Sequence, residues 1–232
     1  KTFLKTEAQV LSTAGPAYSS LNVITAPEGI WGLNELTTDE LLIPTRGIHW
    51  YNAGMYHRFH RHQWTAQEGI INNAWRCIYG GVTNCNRAIF LCDQVEDPTP
   101  ALISIKNELA ALRAFFMFLA MDMYGGVPIV DRFDVPEGYA PARNTRAEVF
   151  SFIESSLKES VKVLNPTKDL TTYGRFHKWS AYTLLAKLYL NAQIYIGNPM
   201  WDEAIAACDS IINSGLYALN PDYFKNFAIN ND

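Results

Sequence analysis

The sequence predicts an all-α protein built from paired helices, with long irregular surface loops between some of them. Its long apolar segments recur at steps of three and four residues, and almost none alternates with period two. Each segment stops at a Gly- or Pro-bearing break, and most connectors are short enough to fold neighbours back antiparallel. At 232 residues and 48% hydrophobic content, the chain holds one large domain or two ordinary ones with a sizeable core.

The first apolar face is Val10, Leu11, Ala14, Ala17, Leu21 and Ile24, with a kink expected at Gly15-Pro16. The second runs Ile71, Ala74, Ile78, Val82, Cys85, Ile89 and Cys92, and ends before the Asp97-Pro98-Thr99-Pro100 breaker. A third, Leu102 to Met123, stops at Gly125-Gly126 and has the seam of a helix packed lengthwise on a partner. The fourth opens with the capping box Thr145-x-x-Glu148, buries Val149, Ile153, Leu157, Val161 and Leu164, and stops at Pro166. The fifth carries Ala181, Leu184, Leu185, Leu188 and Ala192. The sixth is expected to start with Asn198 as N-cap and Pro199 at the first helical position, and to end at Gly215. Its Ala204 and Ala207 should approach Ala181 and Ala186 closely, with Trp201 and Tyr189 filling the space outside that contact. Six helices in pairs suggest tetratricopeptide-like helix-turn-helix repeats packed as a right-handed superhelical scaffold. Residues 28–66 and 125–143 escape the helical pattern, and Gly-Gly-Val-Pro-Ile-Val in the second suggests a turn and a short extended piece.

Composition excludes several functions. A net charge of −4, a pI near 5.7 and 18% charged residues argue against a phosphate-driven nucleic-acid binder. No apolar run approaches the roughly 18–20 residues that a membrane-spanning helix needs. The chain starts at Lys1 without a signal-like segment, so any export signal is expected to have been removed. Cys77, Cys85 and Cys92 fall on one predicted helix more than about 10 Å apart, beyond disulfide reach. They read as small core residues, and pairing of the distant Cys208 stays open.

The chemistry concentrates in His49-Trp-Tyr-Asn-Ala-Gly-Met-Tyr-His-Arg-Phe-His-Arg-His-Gln-Trp64. A metal site is disfavoured, since His57, His60 and His62 do not share one face in either a helix or a strand. No Cys or well-spaced carboxylate completes the set, and Arg58 and Arg61 repel a cation. No nucleophile elbow, zinc motif or phosphate loop occurs; Asp39, Glu40, Asp131 and Asp134 could in principle form a glycosidase pair, but sequence does not place two of them across a sugar, and solvated loop charges are the default. Neither an enzyme nor a cofactor is therefore expected. Two readings stay open. A pyranose ring packs its C–H face on flat aromatics while its hydroxyls seek planar hydrogen-bonding groups, and this stretch offers both. Equally, Trp and Tyr in a long loop often pin the loop to the body of a domain.

Several blocks occur in a familiar order. They are Thr37-Thr-Asp-Glu40, Asn72-Asn-Ala-Trp-Arg-Cys-Ile-Tyr79, Arg113-Ala-Phe-Phe and Tyr124-Gly-Gly-Val-Pro-Ile-Val130. Arg143-Asn-Thr-Arg-Ala-Glu-Val-Phe150, Gly174-Arg-Phe-His-Lys178, Trp201-Asp-Glu-Ala and Ile211-Ile-Asn-Ser-Gly-Leu-Tyr217 follow. From about residue 36 to its end the chain resembles the SusD/RagB family of outer-membrane nutrient-binding lipoproteins. That resemblance implies a surface glycan site, a SusC-like TonB-dependent transporter as partner, and a lipidated N-terminal Cys. Family members are about twice as long, and no Cys precedes Cys77 here, so the lipid anchor and the C-terminal half lie outside this chain. The expectation is a single N-terminal helical domain over 1–232, with a binding segment at 28–66 and a scaffold at 67–217. Trp50, Tyr51 and Trp64 are the candidates for stacking on sugar, with Asp39, His49, Asn52 and Arg58 for its hydroxyls. The rival expectation is a helical-repeat scaffold whose aromatic loop contacts a protein or peptide.

Overall fold

A computed structural model describes residues 7–26 and 28–229; its regular elements are helices, with no strand among those residues. Five long helices carry the fold: α5 (Gly69–Cys92), α6 (Pro100–Tyr124), α7 (Arg146–Ser160), α8 (Lys178–Leu190) and α10 (Trp201–Ile212). Short ones fill in as α1 (Glu7–Ser12), α2 (Ala14–Ser19), α3 (Ile30–Glu35), α4 (Met55–His60) and α9 (Ala192–Ile196). Each long helix packs against the next in sequence, α5 on α6, α6 on α7, α7 on α8 and α8 on α10. Helices α1 and α2 lie against α5 and α6.

Local chemistry explains the boundaries. Thr99 caps α6 by accepting from the Leu102 amide at 3.3 Å, with Pro100 in the first turn where no amide partner is needed. The capping box on α7 forms, with the Thr145 amide donating to Glu148 at 2.7 Å. Gly125 closes α6 at φ 77°, and a Cβ there would come within 3.2 Å of the Arg146 guanidinium. Gly81 lets α5 and α6 touch, because a Cβ at that position would lie 2.5 Å from the Phe116 ring.

Four expectations need correction. The first apolar face is two helices and a 3-10 turn, broken at Thr13, whose amide and hydroxyl both bond Val10 O. Pro16 fits inside α2 because it sits in the first turn. Helix α10 begins at Trp201 with Met200 at the N-cap, so Asn198-Pro199 precede it rather than start it. Gly197, at φ 73°, ends α9 just before them, and that turn takes up the residues expected to cap the next helix. Trp201 is exposed rather than packed as a filler, whereas Tyr189 is buried and its hydroxyl reaches Glu154 at 3.0 Å. Finally, residues 28–66 are not loop alone, since they contain α3 and α4.

The non-helical 125–143 segment is stapled down by side chains of α5 and α6. The Tyr79 hydroxyl donates to Pro128 O at 2.7 Å, and buried Asn86 donates to Val130 O at 2.9 Å. Arg113 donates to Asn86 and to Asp131 O, each at 2.8 Å, and burial pushes its basicity down. A second polar knot joins remote parts of the chain. Arg175 grips buried Glu108 of α6 in two-point fashion, Tyr18 of α2 donates to the same carboxylate, and the Phe176 amide donates to Tyr18. All four cysteines are free thiols.

Candidate functional site

Residues 41–64 form a projecting segment mounted on α5 through its own small core. Leu36, Met55, Tyr56, Phe59 and Ile70 are buried together, with Leu33, Leu41, Ile43 and Ile71 packed around them. The sequence explains this division, because Met55, Tyr56 and Phe59 share one face of α4 at helical spacing and Trp50, Tyr51 and Trp64 lie outside that helix.

The backbone here is strained. Four of the five non-glycine residues with positive φ among the described residues, Trp50, Asn52, Ala53 and His62, belong to this segment, beside Gly47 and Gly54. Each such residue costs about 1–3 kcal/mol and persists only where its surroundings hold it. Two acidic side chains do so. Glu28 Oε1 accepts from Asn52 Nδ2 at 2.6 Å and from the Tyr56 hydroxyl at 3.0 Å, while its backbone carbonyl accepts from Asn73 of α5. Glu68, just before α5, accepts from Nε and Nη2 along one edge of the Arg58 guanidinium at 2.6 and 2.9 Å, and Arg58 Nη1 donates to Ala53 O at 2.6 Å. These contacts hold the carboxyl of Glu68 below its ordinary value, the Arg58 hydrogen bonds being the largest cause. Burial, reinforced by Glu28, pushes the Tyr56 phenol up to about 12.

The expected site residues separate into three groups. Trp50, 49% exposed, lines a cleft of about 320 Å³ with Trp31, Leu41, Leu42, Ile43, Pro44 and Arg46. Tyr51, 58% exposed, lines a second cleft of about 680 Å³ with Pro44, Thr45, His57, Arg61 and Gln63. Pro44 is a wall common to both, so the two adjacent rings face neighbouring depressions. Trp64 lies apart, stacked on Phe59 at 5.5 Å with the rings 5° from parallel, beside a third cleft that Met123 and Tyr124 help to line. One of its faces is already covered. The three rings thus do not make one continuous platform.

Among the polar candidates, Asn52 and Arg58 hold the segment together through Glu28 and Glu68, and Arg58 also lines the second cleft beside Tyr51. His49 pairs its backbone with Arg46, both hydrogen bonds at 3.0 Å, in a tight turn that presents Ile48 at 92% exposure. Asp39 is exposed in the turn after α3 and lines none of the three clefts. Residues that the sequence reading passed over supply much of the surface: Trp31, Pro44, Arg46 and Arg61 line the clefts, and Glu28 and Glu68 hold their floor. One signal for Glu68 was available, since it is the acidic residue that ends the acid-free stretch 41–67. Among the described residues no group of His, Cys, Asp or Glu could hold a metal ion, and no helix is long and apolar enough to cross a membrane.

The arrangement offers flat rings, shallow clefts and planar hydrogen-bonding groups, which is equipment for holding a ligand. The profile of a SusD-like family, described as starch-binding associating with outer membrane, matches residues 28–190. The starch-binding protein SusD of Bacteroides thetaiotaomicron is 28% identical over 145 residues, a match covering 62% of this chain and 25% of that protein. A SusD-like protein of Bacteroides ovatus is 29% identical over 147 residues, covering 60% of this chain and 26% of its own length. Among solved structures, surface glycan-binding protein A from Bacteroides thetaiotaomicron in complex with laminarihexaose superposes with a TM-score of 0.79 at 21% identity. That likeness covers 98% of this chain and 47% of the other. A SusD superfamily protein from Bacteroides vulgatus gives 0.82 at 19% identity, covering 100% and 48%. The matches thus span about a quarter of the curated relatives and the superpositions about half of the solved chains, and the structural likenesses establish the fold.

Proposed function

The chain belongs to the SusD-like family, a starch-binding family associated with the outer membrane, and from that premise we propose that it captures oligosaccharides at the surface formed by residues 41–64. The observation that carries this reading is the pair of exposed rings at Trp50 and Tyr51, held in strained backbone over adjoining clefts by a core and two acidic clamps. Exposed aromatic rings fixed at such a cost suit a ligand with a flat apolar face, and a pyranose is one. The relatives named starch-binding, or solved with laminarihexaose, support carbohydrate as the class.

In this proposal the chain is an N-terminal helical domain, with residues 28–66 as the binding segment and 67–217 as a tetratricopeptide-like scaffold wound right-handed. Capture breaks no bond. Trp50 and Tyr51 stack on sugar rings, His49 contributes to hydroxyls from the rim, and Asn52 and Arg58 act by holding the rings in place. Trp64 offers a separate contact, and Asp39 lies at the outer margin. A lipid-anchored form at the cell surface would hand the oligosaccharide to a SusC-like TonB-dependent transporter. Several weak contacts suit such delivery, because a tightly held sugar could not be passed on.

Isothermal titration of the chain against a panel of neutral and acidic oligosaccharides tests the reading. Trp50→Ala or Tyr51→Ala should each weaken the best ligand about tenfold, as expected for losing one ring contact of 1–2 kcal/mol. No heat with any sugar in the panel would favour the rival, a scaffold that docks a protein through this segment.

A further inference from the structure

Between Leu41 and Gln67 the chain carries Arg46, Arg58, Arg61 and four His, with no Asp or Glu, although the protein as a whole is acidic at −4. Arg58 is neutralised by Glu68. Arg46 and Arg61 are paired with no carboxylate among the described residues. Each of these two arginines lines one of the adjoining clefts together with an exposed ring: Arg46 with Trp50 and Trp31, Arg61 with Tyr51. His57 reinforces the second cleft, its Nε2 standing 3.3 Å from Thr45 Oγ1.

A neutral glycan could offer the two unpaired guanidinium groups only hydroxyl acceptors and no compensating charge, whereas a planar carboxylate or a sulfate accepts their paired N–H groups in two-point, charge-assisted fashion. Two cation-and-ring subsites on either side of Pro44 suit a chain with a charge on separate sugar units. We propose that this surface selects acidic oligosaccharides, glycans bearing uronate carboxylates or sulfate esters, with Arg46 and Arg61 as the anion partners. An acidic peptide would meet the cations equally well but has no need of the rings, so the rings favour the acidic sugar. This inference rests on the reading of residues 41–64 as a glycan-capture surface.

The test uses matched pairs that differ only in charge. The 232-residue chain is titrated with hexagalacturonate and with its fully methyl-esterified form, and with a sulfated chondroitin hexasaccharide and its desulfated counterpart. Polyaspartate and a neutral glucan hexamer serve as controls. The expected result is that one acidic member binds at least about tenfold tighter than its neutral partner at low salt, and that this ratio shrinks as salt rises. Which pair shows it distinguishes uronate from sulfate. In Arg46→Gln/Arg61→Gln the ratio falls towards one. Both substitutions lie on exposed side chains, and unchanged circular dichroism separates a local effect from unfolding.

Equal binding within both pairs, or binding of the neutral glucan alone, overturns the charge selectivity and leaves glycan capture standing. Binding of polyaspartate as tightly as the acidic sugar, insensitive to Trp50→Ala, overturns the sugar part. No binding by any oligosaccharide sinks both.

Discussion

At Arg58 a side chain with every attribute of a ligand contact is spent on architecture. Its guanidinium bridges Glu68 and the carbonyl of Ala53, so the strained turn that presents Trp50 and Tyr51 is tied to the start of α5. Arg58→Gln and Glu68→Gln should therefore have the same phenotype. Amide exchange over residues 50–64 should accelerate several-fold in either variant while the long helices keep their protection, and the double variant should add little because the two residues act as one unit. Exchange unchanged in both would show that the small core alone holds the segment. His177 gives a pH-dependent counterpart on the scaffold. Its Nδ1 caps α8 by accepting from the Trp179 and Ser180 amides, and burial holds its basicity below the ordinary 6.5, with Glu108 pulling the other way. A depressed folded value means that the stability is present above about pH 6.5 and is lost as pH falls through the lower folded value. Urea midpoints should thus decline between pH 7.5 and 5.5 more steeply in the wild type than in His177→Asn, which caps without titrating, and His177→Ala should cost about 0.5–2 kcal/mol at neutral pH. At this scale the sequence identified the segment and its exposed rings, Trp50 and Tyr51. It did not reveal that Asn52 and Arg58 are already hydrogen-bonded, because their partners Glu28 and Glu68 lie 24 and 10 residues away. Residue type alone does not say whether a hydrogen-bonding group is already satisfied.

At the scale of elements, the α5–α6 contact has the narrowest tolerance in the structure. The side of Gly81 faces the wholly buried ring of Phe116, which is hemmed in and cannot swing away. Gly81→Ala gains about 1 kcal/mol of helix propensity, but overpacking a filled core costs about 1–3 kcal/mol. The clash should win, giving a net loss near 1 kcal/mol in urea unfolding, with a smaller loss when Phe116→Leu is made alongside. A stabilised Gly81→Ala would mean that the helices separate easily. The long helices were readable because periodicity, caps and breakers agree over many residues: the Thr145 box and the Gly125 stop stand where the sequence placed them. Short elements were not. Helices α3, α4 and α9 have five or six residues each, less than two turns, which is too few for a 3.6-residue period to emerge from noise. Asn198-Pro199 misled for a related reason, since the pair also suits the turn that follows Gly197, and only the packing of Trp201 onward decides where the helix resumes.

For the whole molecule, the decisive feature is that the long helices pack in chain order, which makes cohesion uneven along the array. Helix α6 lies between α5 and α7, also meets α1, α2 and α8, and buries eleven of its residues. Helix α10 rests on α8 and buries only Ala204 and Ala207, leaving Ile205 and Ile212 exposed. In such an array local contacts dominate, and outer units can open without the centre. Tyr18, Glu108 and Arg175 oppose this tendency at the other end, because they knot α2, α6 and the approach to α8 together across long stretches of sequence. Native-state hydrogen exchange should accordingly rank α6 slowest and α10 fastest among the long helices. Ala207→Asp, which places a charge against α8, should lower protection in α10 by about tenfold or more while α6 loses far less. Binding at residues 41–64 should survive that substitution, since the segment is carried by α5 and by its own core on the far side of the ordered centre. Equal loss of protection in every helix would instead mean that the molecule unfolds as one unit, and that the 41–64 segment depends on the last helix as much as on the first.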